Sequence, residues 1–321
     1  MDSYKKRNLP DRRKSTLDSV TDRNHRKKNQ MMPRLVLEKS FRVTGVTGCN
    51  HVSHISSDRV WISDDKGHLV LSNAAGEELH RVTDITTFDG GVHTVTSDGD
   101  LIYIDRNGNI NKLSKDNKVK TVLIPYNTLI PYNRFTWGPQ CVYSSPSTGD
   151  LLVGEMYVDY TMKGQVNRYT NTGQHIQTMQ HDNTGQRLCI KPIYITENCN
   201  GDVIVSDYYR GVVVTDRGGR HRFTYRGPTS GSGLAPRGIC TDALSHILVC
   251  DLTTLSVQIL DSYQRLLSQA DTQQHGIDVP WSMSYDERTQ LLLVGSRINS
   301  TVNIYRLVYG DSLTYLSIET L

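Results

Sequence analysis

A repeated pattern begins at Asn200-Gly201-Asp202-Val203-Ile204-Val205-Ser206-Asp207 and returns at Leu244-Ser245-His246-Ile247-Leu248-Val249-Cys250-Asp251. Each copy is a polar turn followed by an apolar, largely β-branched run that ends in Asp. A second turn and a second apolar run follow each copy. Val203 and Ile247 are equivalent positions, 44 residues apart. Self-similarity at such a period indicates a repeat architecture and outweighs any segment-by-segment interpretation.

The same pattern extends to six units along the chain. Its equivalent positions are spaced by 41, 50, 52, 44 and 44 residues, and they are Val60, Leu101, Leu151, Val203, Ile247 and Leu291. A unit of this size has room for four short strands, which is typical of one blade of a β-propeller. The sequence therefore predicts an all-β, six-bladed propeller whose blades each contain about four antiparallel strands.

The two ends of the chain bear on how the ring of blades closes. Residues 1–33 are rich in Lys, Arg, Asn, Asp and Ser and have no hydrophobic period, so we expect a disordered basic tail before a propeller over 34–321. A ring of blades must pair its first and last strands, or two sheet edges stay exposed. Residues 34–43 and residues 313–321 are rival candidates for the closing strand.

Charge divides between the tail and the propeller. Residues 1–34 carry eleven Lys and Arg against four Asp, whereas residues 35–321 carry 25 against 29 acidic residues. The basic clusters of the tail favour a solvated linker over a nuclear-targeting signal. With no apolar leader and no run of 18 apolar residues, the chain is expected to be cytoplasmic, or nuclear through its tail, without membrane contact. The six cysteines show no zinc-ligand spacing.

Blade five carries a family resemblance. Pro236-Arg237-Gly238-Ile239, followed by the strand that ends at Asp251, resembles the NHL repeat, and the unit that ends at Asp207 repeats the pattern without the Gly. The set resembles the C-terminal NHL propellers of tripartite-motif (TRIM) ubiquitin ligases. This chain lacks the RING, B-box and coiled-coil segments of those proteins. The resemblance implies a substrate-recognition module of a ubiquitin pathway, or an NHL propeller that binds single-stranded RNA.

Catalysis has no positive signal in the sequence. Carboxylates recur at one position of five units, which suggests that each serves its own blade by accepting backbone N–H bonds, not that they share a metal. These residues are Asp64, Asp105, Glu155, Asp207 and Asp251. Histidines 51, 54, 68, 80 and 93 lack metal-ligand spacing and are interpreted as surface or satisfied strand residues. No catalytic, metal or cofactor site is predicted, and the chain is expected not to be an enzyme.

A binding face is predicted from the loops that join strand two to strand three and that join successive blades. Arg and Tyr are enriched at binding hot spots, and they also stack on unpaired bases. The predicted face comprises Arg106, Tyr132, Arg134, Tyr157, Tyr160, Lys163, Arg187, Tyr208, Tyr209, Arg210, Arg226, Arg237 and Arg297. Tyr208, Tyr209, Arg210 and Arg237 are expected at its centre.

These observations predict a monomeric, non-catalytic interaction propeller. Protein partners are ranked above RNA, because residues 35–321 lack the broad positive field that favours nucleic acid. A metal-dependent, lactonase-like hydrolase ranks third.

Overall fold

The computed structural model describes residues 32–126, 137–157, 161–228 and 233–309. These form six four-stranded antiparallel sheets, as predicted. Blade one contains β2 (His51–Ser56), β3 (Arg59–Ser63), β4 (Leu69–Asn73) and β5 (Glu78–Val82). Blade two contains β6 (His93–Val95), β7 (Leu101–Ile104), β8 (Ile110–Leu113) and β9 (Lys120–Ile124). Blade three contains β10 (Trp137–Ser144), β11 (Leu151–Tyr157), β12 (Lys163–Tyr169) and β13 (His175–Met179).

Blades four and five are the two units whose sequences repeat most clearly. Blade four contains β14 (Pro192–Glu197), β15 (Val203–Asp207), β16 (Gly211–Thr215) and β17 (His221–Tyr225). Blade five contains β18 (Pro236–Thr241), β19 (Ile247–Asp251), β20 (Ser256–Leu260) and β21 (Leu266–Asp271). A single-turn 3-10 helix, Gln273–His275, follows and is the one helix in the described ranges.

The sixth blade is built from both ends of the described chain. It contains β22 (Pro280–Asp286), β23 (Leu291–Ser296), β24 (Thr301–Tyr309) and, outermost, β1 (Pro33–Arg42). β1 pairs with β24 from Pro33↔Tyr309 to Arg42↔Thr301. The first of the two rival candidates thus supplies the closing strand, while the second, 313–321, and most of the predicted tail lie outside the described residues.

Apolar side chains between adjacent blades form the core. The two central strands of a blade carry β-branched residues on both of their faces. Both faces are apolar because each blade is covered by a neighbouring blade on either side. Trp61, Val203 and Ile247 are buried, at 2%, 1% and 1% exposure. Five of the six cysteines are buried and Cys199 is exposed, and all six are free thiols.

The recurring Asp residues serve their own blades, as predicted. Asp207 accepts backbone N–H bonds from Ile190, Lys191, Tyr209 and Arg210 at 2.8–3.0 Å, so it ties the loop entering blade four to a turn within it. Asp64, Asp105 and Asp251 accept backbone N–H bonds in the same way. Each such bond satisfies a donor that would otherwise be costly to bury.

Two details of that pattern differ from prediction. Glu155 accepts hydrogen bonds from side chains, namely the Tyr126 and Tyr169 hydroxyls and the Gln165 amide. In blade six the alignment is wrong by one residue, since Pro280 pairs with Ser296 as Pro192 pairs with Asp207. The residue of blade six that is equivalent to Asp207 is therefore Ser296, and Gly295 lies one position before it.

Candidate functional site

The first strands of the six blades surround the propeller axis and enclose the main cavity. β2, β6, β10, β14, β18 and β22 contact their neighbours around the ring. The space between them, called here the axial cavity, has a volume of about 660 Å³ and takes residues from all six blades. It extends to the turns after the first strands, at Ser147, Cys199 and Arg288, and so opens at that end. We call this end the exit face and the opposite end, where these strands begin, the entry face.

Hydroxyl groups dominate the wall of the axial cavity. Every blade supplies one Ser or Thr from its first strand, namely Ser53, Thr94, Ser144, Thr196, Thr241 and Ser284. Several of these hydroxyls link adjacent first strands: Ser284 Oγ accepts from the His54 backbone N–H at 3.1 Å, and Thr241 donates to the Glu197 carbonyl at 2.8 Å. Tyr143, Tyr194 and Tyr285 add phenol groups to the same wall. The cavity is therefore suited to an uncharged ligand with many hydrogen-bonding groups.

Two histidines whose rings are in contact, and a serine, lie at the inner part of this cavity. The rings of His51 and His93 are 4.2 Å apart between centroids, and Ser53 Oγ lies 3.0 Å from His93 Nδ1. The backbone N–H of His93 donates to His51 Nδ1 at 3.3 Å. His93 Nε2 is buried and has no hydrogen-bond partner in the described ranges. The sequence interpretation of these histidines as satisfied strand residues is therefore wrong for His93.

Burial keeps both imidazoles neutral at neutral pH. Loss of solvation lowers the pKa of His93 to about 3, with a smaller opposing contribution from its backbone bond to His51. Loss of solvation, reinforced by His93, also lowers the pKa of His51 well below its usual value. A neutral imidazole can accept a proton from a hydroxyl group at one nitrogen. Ser53 and His93 thus have the contact that proton transfer requires.

Acidifying the solution should destabilise the fold through these histidines. An unfolded His titrates near pH 6.5, so between that value and about 3 the unfolded chain binds a proton that folded His93 does not. Stability therefore falls as the pH falls, and at pH 5 His93 alone should lower the free energy of unfolding by about 2 kcal/mol. Denaturant unfolding of the full chain at pH 7.5 and pH 5 measures this difference.

His93→Gln should show a smaller difference between the two pH values than the wild type. His175→Gln, which removes an exposed imidazole from β13, should retain the wild-type difference. An equal pH dependence in the wild type and His93→Gln would contradict the assignment.

Paired charges stand at the exit end of the cavity. Glu197 Oε1 accepts from Arg168 Nη2 at 2.6 Å, and both side chains are nearly inaccessible. Asp286 pairs with His54 at 3.6 Å and with Arg288 at 3.9 Å. Arg168 thus gives Glu197 a cationic partner and Arg288 gives one to Asp286, whereas burial lowers the pKa of His54 and favours its neutral form.

A hydrogen bond crosses the axis at the entry end of the cavity. The Tyr194 hydroxyl of blade four donates to the backbone carbonyl of Asn50 in blade one. The Asn50 side chain is held in turn by Arg297 Nη1 at 3.2 Å and by Asp89 at 3.2 Å. The predicted binding face is the entry face, and the cavity opens on the exit face.

The structure brings part of the predicted binding face together. Arg237 lies 4.9 Å from the ring of Tyr208, and Tyr208 packs edge-on against Tyr209 at 4.9 Å. Arg237 and Arg297 both stack on Trp281, a residue that was not predicted. Lys191, also not predicted, stacks on Tyr208.

The other predicted residues are not assembled around Tyr208. Lys163 stacks on Tyr157 in blade three, Arg106 donates to the Thr83 carbonyl at 2.7 Å, and Arg226 is exposed. Arg187 Nη1 and Arg210 Nε are buried atoms without a partner in the described ranges. Tyr132, Arg134 and Tyr160 lie outside the described residues. The predicted face therefore reduces to a cluster around Tyr208, Arg237 and Trp281.

A weak sequence signal for the histidine pair existed. His51 and His93 are 42 residues apart, close to the 41-residue spacing of Val60 and Leu101. They therefore occupy nearly the same place in adjacent blades. Repeat alignment could have paired them, although it gives no indication of burial.

The described residues do not form a metal site. No group of three or more His, Cys, Asp or Glu side chains in ranges 32–126, 137–157, 161–228 and 233–309 is arranged to hold an ion. The residues therefore do not fit the metal-dependent version of a hydrolase. No helix in the same ranges has the length and apolarity needed to cross a lipid bilayer.

Comparisons with known proteins show the fold. No family model and no curated protein matches the sequence. A gluconolactonase from Xanthomonas campestris is 13% identical with a TM-score of 0.61, over 87% of this chain and 91% of that chain. Regucalcin from Agrobacterium tumefaciens, a calcium-binding protein, is 14% identical with a TM-score of 0.59, over 88% and 96%. A streptogramin B lyase is 14% identical with a TM-score of 0.56, over 88% and 100%.

These neighbours correct the functional prediction. The expectation of a non-catalytic interaction propeller, and with it the statement that the chain is not an enzyme, is wrong. This expectation rested on the absence of short catalytic motifs from the sequence. Solved structures with a similar fold are named as enzymes. At 13–14% identity the likeness itself shows the fold alone. The neighbours named here are not TRIM proteins, and they leave the NHL resemblance unconfirmed beyond the six-bladed fold.

Proposed function

We propose that the chain is a hydrolase that acts on a small, uncharged cyclic ester held in the axial cavity. The carrying observation is the 3.0 Å contact between Ser53 Oγ and His93 Nδ1 within a cavity lined by hydroxyl groups. The fold likeness to a gluconolactonase supports this reaction class. A metal is not part of the proposal, because the described residues do not fit one.

In the proposed reaction Ser53 is the nucleophile and His93 the base. Ser53 Oγ attacks the carbonyl carbon of the ester while its proton passes to His93 Nδ1, and the ring C–O bond then breaks. The departing ring oxygen takes the proton from His93 and leaves an open-chain acyl group on Ser53. Water, deprotonated by the same nitrogen, then releases the acid and regenerates the serine.

The environment of His93 limits the proposed substrate class. A pKa of about 3 makes this imidazole a weak base, and no carboxylate contacts it in the described ranges to stabilise its protonated form. Amide hydrolysis needs stronger assistance to both attack and departure than ester hydrolysis. The site therefore favours an activated acyl group such as a strained lactone, and the hydroxyl-lined wall favours one that carries several hydroxyl groups.

Replacing Ser53 by Ala should abolish hydrolysis. The full chain is assayed against a panel of polyhydroxy lactones with a pH indicator, and the rate of Ser53→Ala should fall about a thousandfold or more because the nucleophile is lost. Ser206→Ala removes a buried serine of β15 that does not line the axial cavity, and it should retain the wild-type rate.

Two results would overturn the proposal. One is a lactone that is hydrolysed equally by the wild type and by a folded Ser53→Ala variant. The other is the absence of turnover and of covalent acyl adducts on the whole panel, with adducts assessed by intact mass.

The finer resemblance to TRIM-type NHL propellers stays a proposal of its own. It is supported by Pro236–Ile239, which begins β18, and by Asp251, which accepts the Ala235 backbone N–H at 2.9 Å. The predictions of a partner, a monomer and a cytoplasmic location also stay predictions.

A further inference from the structure

Arg237 is a nearly buried cation that has aromatic neighbours in place of an ion-pair partner. Its side chain begins at the entry end of β18 and the residue is 8% exposed. The guanidinium carbon lies 4.6 Å from the Trp281 ring and 4.9 Å from the Tyr208 ring, so both rings contact the cation. Such stacking holds the planar group in place and leaves its edge available for hydrogen bonds.

Arg237 is hydrogen-bonded to the Pro236 carbonyl, and the Tyr208 hydroxyl and the Asp89 carboxylate also favour its charged form, but no carboxylate forms a salt bridge with it in the described ranges. The guanidinium has five N–H donors, and one of its nitrogens, Nη1, donates to the Pro236 carbonyl at 2.8 Å. Loss of solvation is the largest influence on its pKa, which is lowered, and a buried cation of this kind is costly unless an anion approaches it.

The immediate surroundings carry further donors. Lys191 Nζ lies 5.1 Å from the same Tyr208 ring and has no carboxylate partner in the described ranges. Trp281 Nε1 is a buried donor that has no acceptor among the residues that the structure describes. Arg297, by contrast, is already neutralised by Asp65 at 2.9 Å and by Asp89 at 3.4 Å. Around Tyr208 and Trp281, the cations without a salt bridge in the described ranges are therefore Arg237, which Asp89 attracts from a longer distance, and Lys191.

We propose that the cluster of Lys191, Tyr208, Arg237 and Trp281 is a binding site for an oxyanion, the carboxylate or phosphate group of a small molecule. The group would accept hydrogen bonds from the free edge of the Arg237 guanidinium, which suits two-oxygen acceptors. The site lies on the entry face, whereas the axial cavity opens on the exit face. It is independent of the proposed hydrolase activity.

Trp281 provides the signal for a test on the full chain. Fluorescence is titrated with benzoate, phenyl phosphate, inorganic phosphate and benzamide, the last being an uncharged analogue of benzoate. Saturable binding is expected for the charged probes and no binding for benzamide. If benzoate binds more tightly than both phosphates, the natural ligand carries a carboxylate. If both phosphates bind more tightly than benzoate, it carries a phosphate. Equal binding of benzamide, or no saturation by any charged probe, overturns the proposal.

Variants locate the site. Arg237→Met keeps much of the packing volume but removes the charge, and it should weaken binding of the charged probes about tenfold or more. Arg226→Gln removes an exposed charge outside the cluster and should bind like the wild type. If Arg237→Met does not fold, Lys191→Met replaces it in the test. Lys191→Met should bind the charged probes several-fold more weakly than the wild type. Wild-type affinity in a folded Arg237→Met, or an equal loss in Arg226→Gln, places the anion elsewhere.

Discussion

Replacing Arg168 by Met is expected to lower the free energy of unfolding by about 3–5 kcal/mol. Arg168 lies on β12 of blade three with 3% of its side chain exposed. It donates to Glu197 of blade four at 2.6 Å and to Asp150 at 3.3 Å, so it joins two blades at the exit end of the axial cavity. The substitution leaves the Glu197 carboxylate, 4% exposed, without its cation. Equilibrium unfolding in denaturant measures the loss.

A double substitution distinguishes the destabilisation caused by the unpaired charge from that caused by lost packing. Arg168→Met with Glu197→Gln removes the uncompensated charge, so the double variant should be more stable than Arg168→Met alone. Replacement of a buried pair by neutral groups often changes stability little. In this pair Arg168 Nε and Glu197 Oε2 already lack hydrogen-bond partners within the described part of the chain.

An exposed pair on the same molecule supplies the matched control. Arg306 contacts Glu38 at 2.8 Å, with side chains 46% and 40% exposed, and Arg306→Met should change stability by less than about 1 kcal/mol. A double variant as unstable as Arg168→Met would show that lost packing, not the unpaired charge, causes the effect.

Periodicity predicted the fold because each blade is a local unit. The pattern around Val203 and Ile247 records a polar turn, a covered strand and an Asp that binds nearby backbone, and all of these lie within one repeat. The closing strand was not decided, because β1 and β24 pair across nearly the whole chain length. The local sequence does not indicate which of the two terminal segments pairs with the last strand of blade six.

The candidate site could be predicted only in part, because it is formed by the ring and not by any single blade. Ser53, Thr94 and Ser284 are ordinary polar residues of short strands, and closure of six blades makes them one wall. Arg237 was found through its motif and was expected on an accessible loop. Its stacking on Trp281, 44 residues away and in the next blade, is a packing result that composition does not encode.

Deleting residues 1–42 should destroy the folded propeller, whereas deleting residues 1–31 should leave its thermal stability unchanged. The longer deletion removes β1, whose Phe41 is 9% exposed within the core cluster that also contains Val302 of β24. Loss of a buried Phe side chain alone costs about 3–5 kcal/mol. The deletion also leaves β24 as an unpaired edge, which favours aggregation. Thermal unfolding and light scattering compare the two deletions.

Adding the missing strand as a peptide tests whether pairing with β24 is the cause. A peptide of residues 32–43 should restore a cooperative transition to the longer deletion, because it supplies both the backbone partners of Thr301–Tyr309 and the Phe41 side chain. The same peptide with Phe41→Ala should restore it less well, since it pairs the edge without filling the core. A longer deletion that melts like the shorter one would mean that blade six closes without β1. Marked destabilisation by the shorter deletion would instead show that the first 31 residues contribute to the fold.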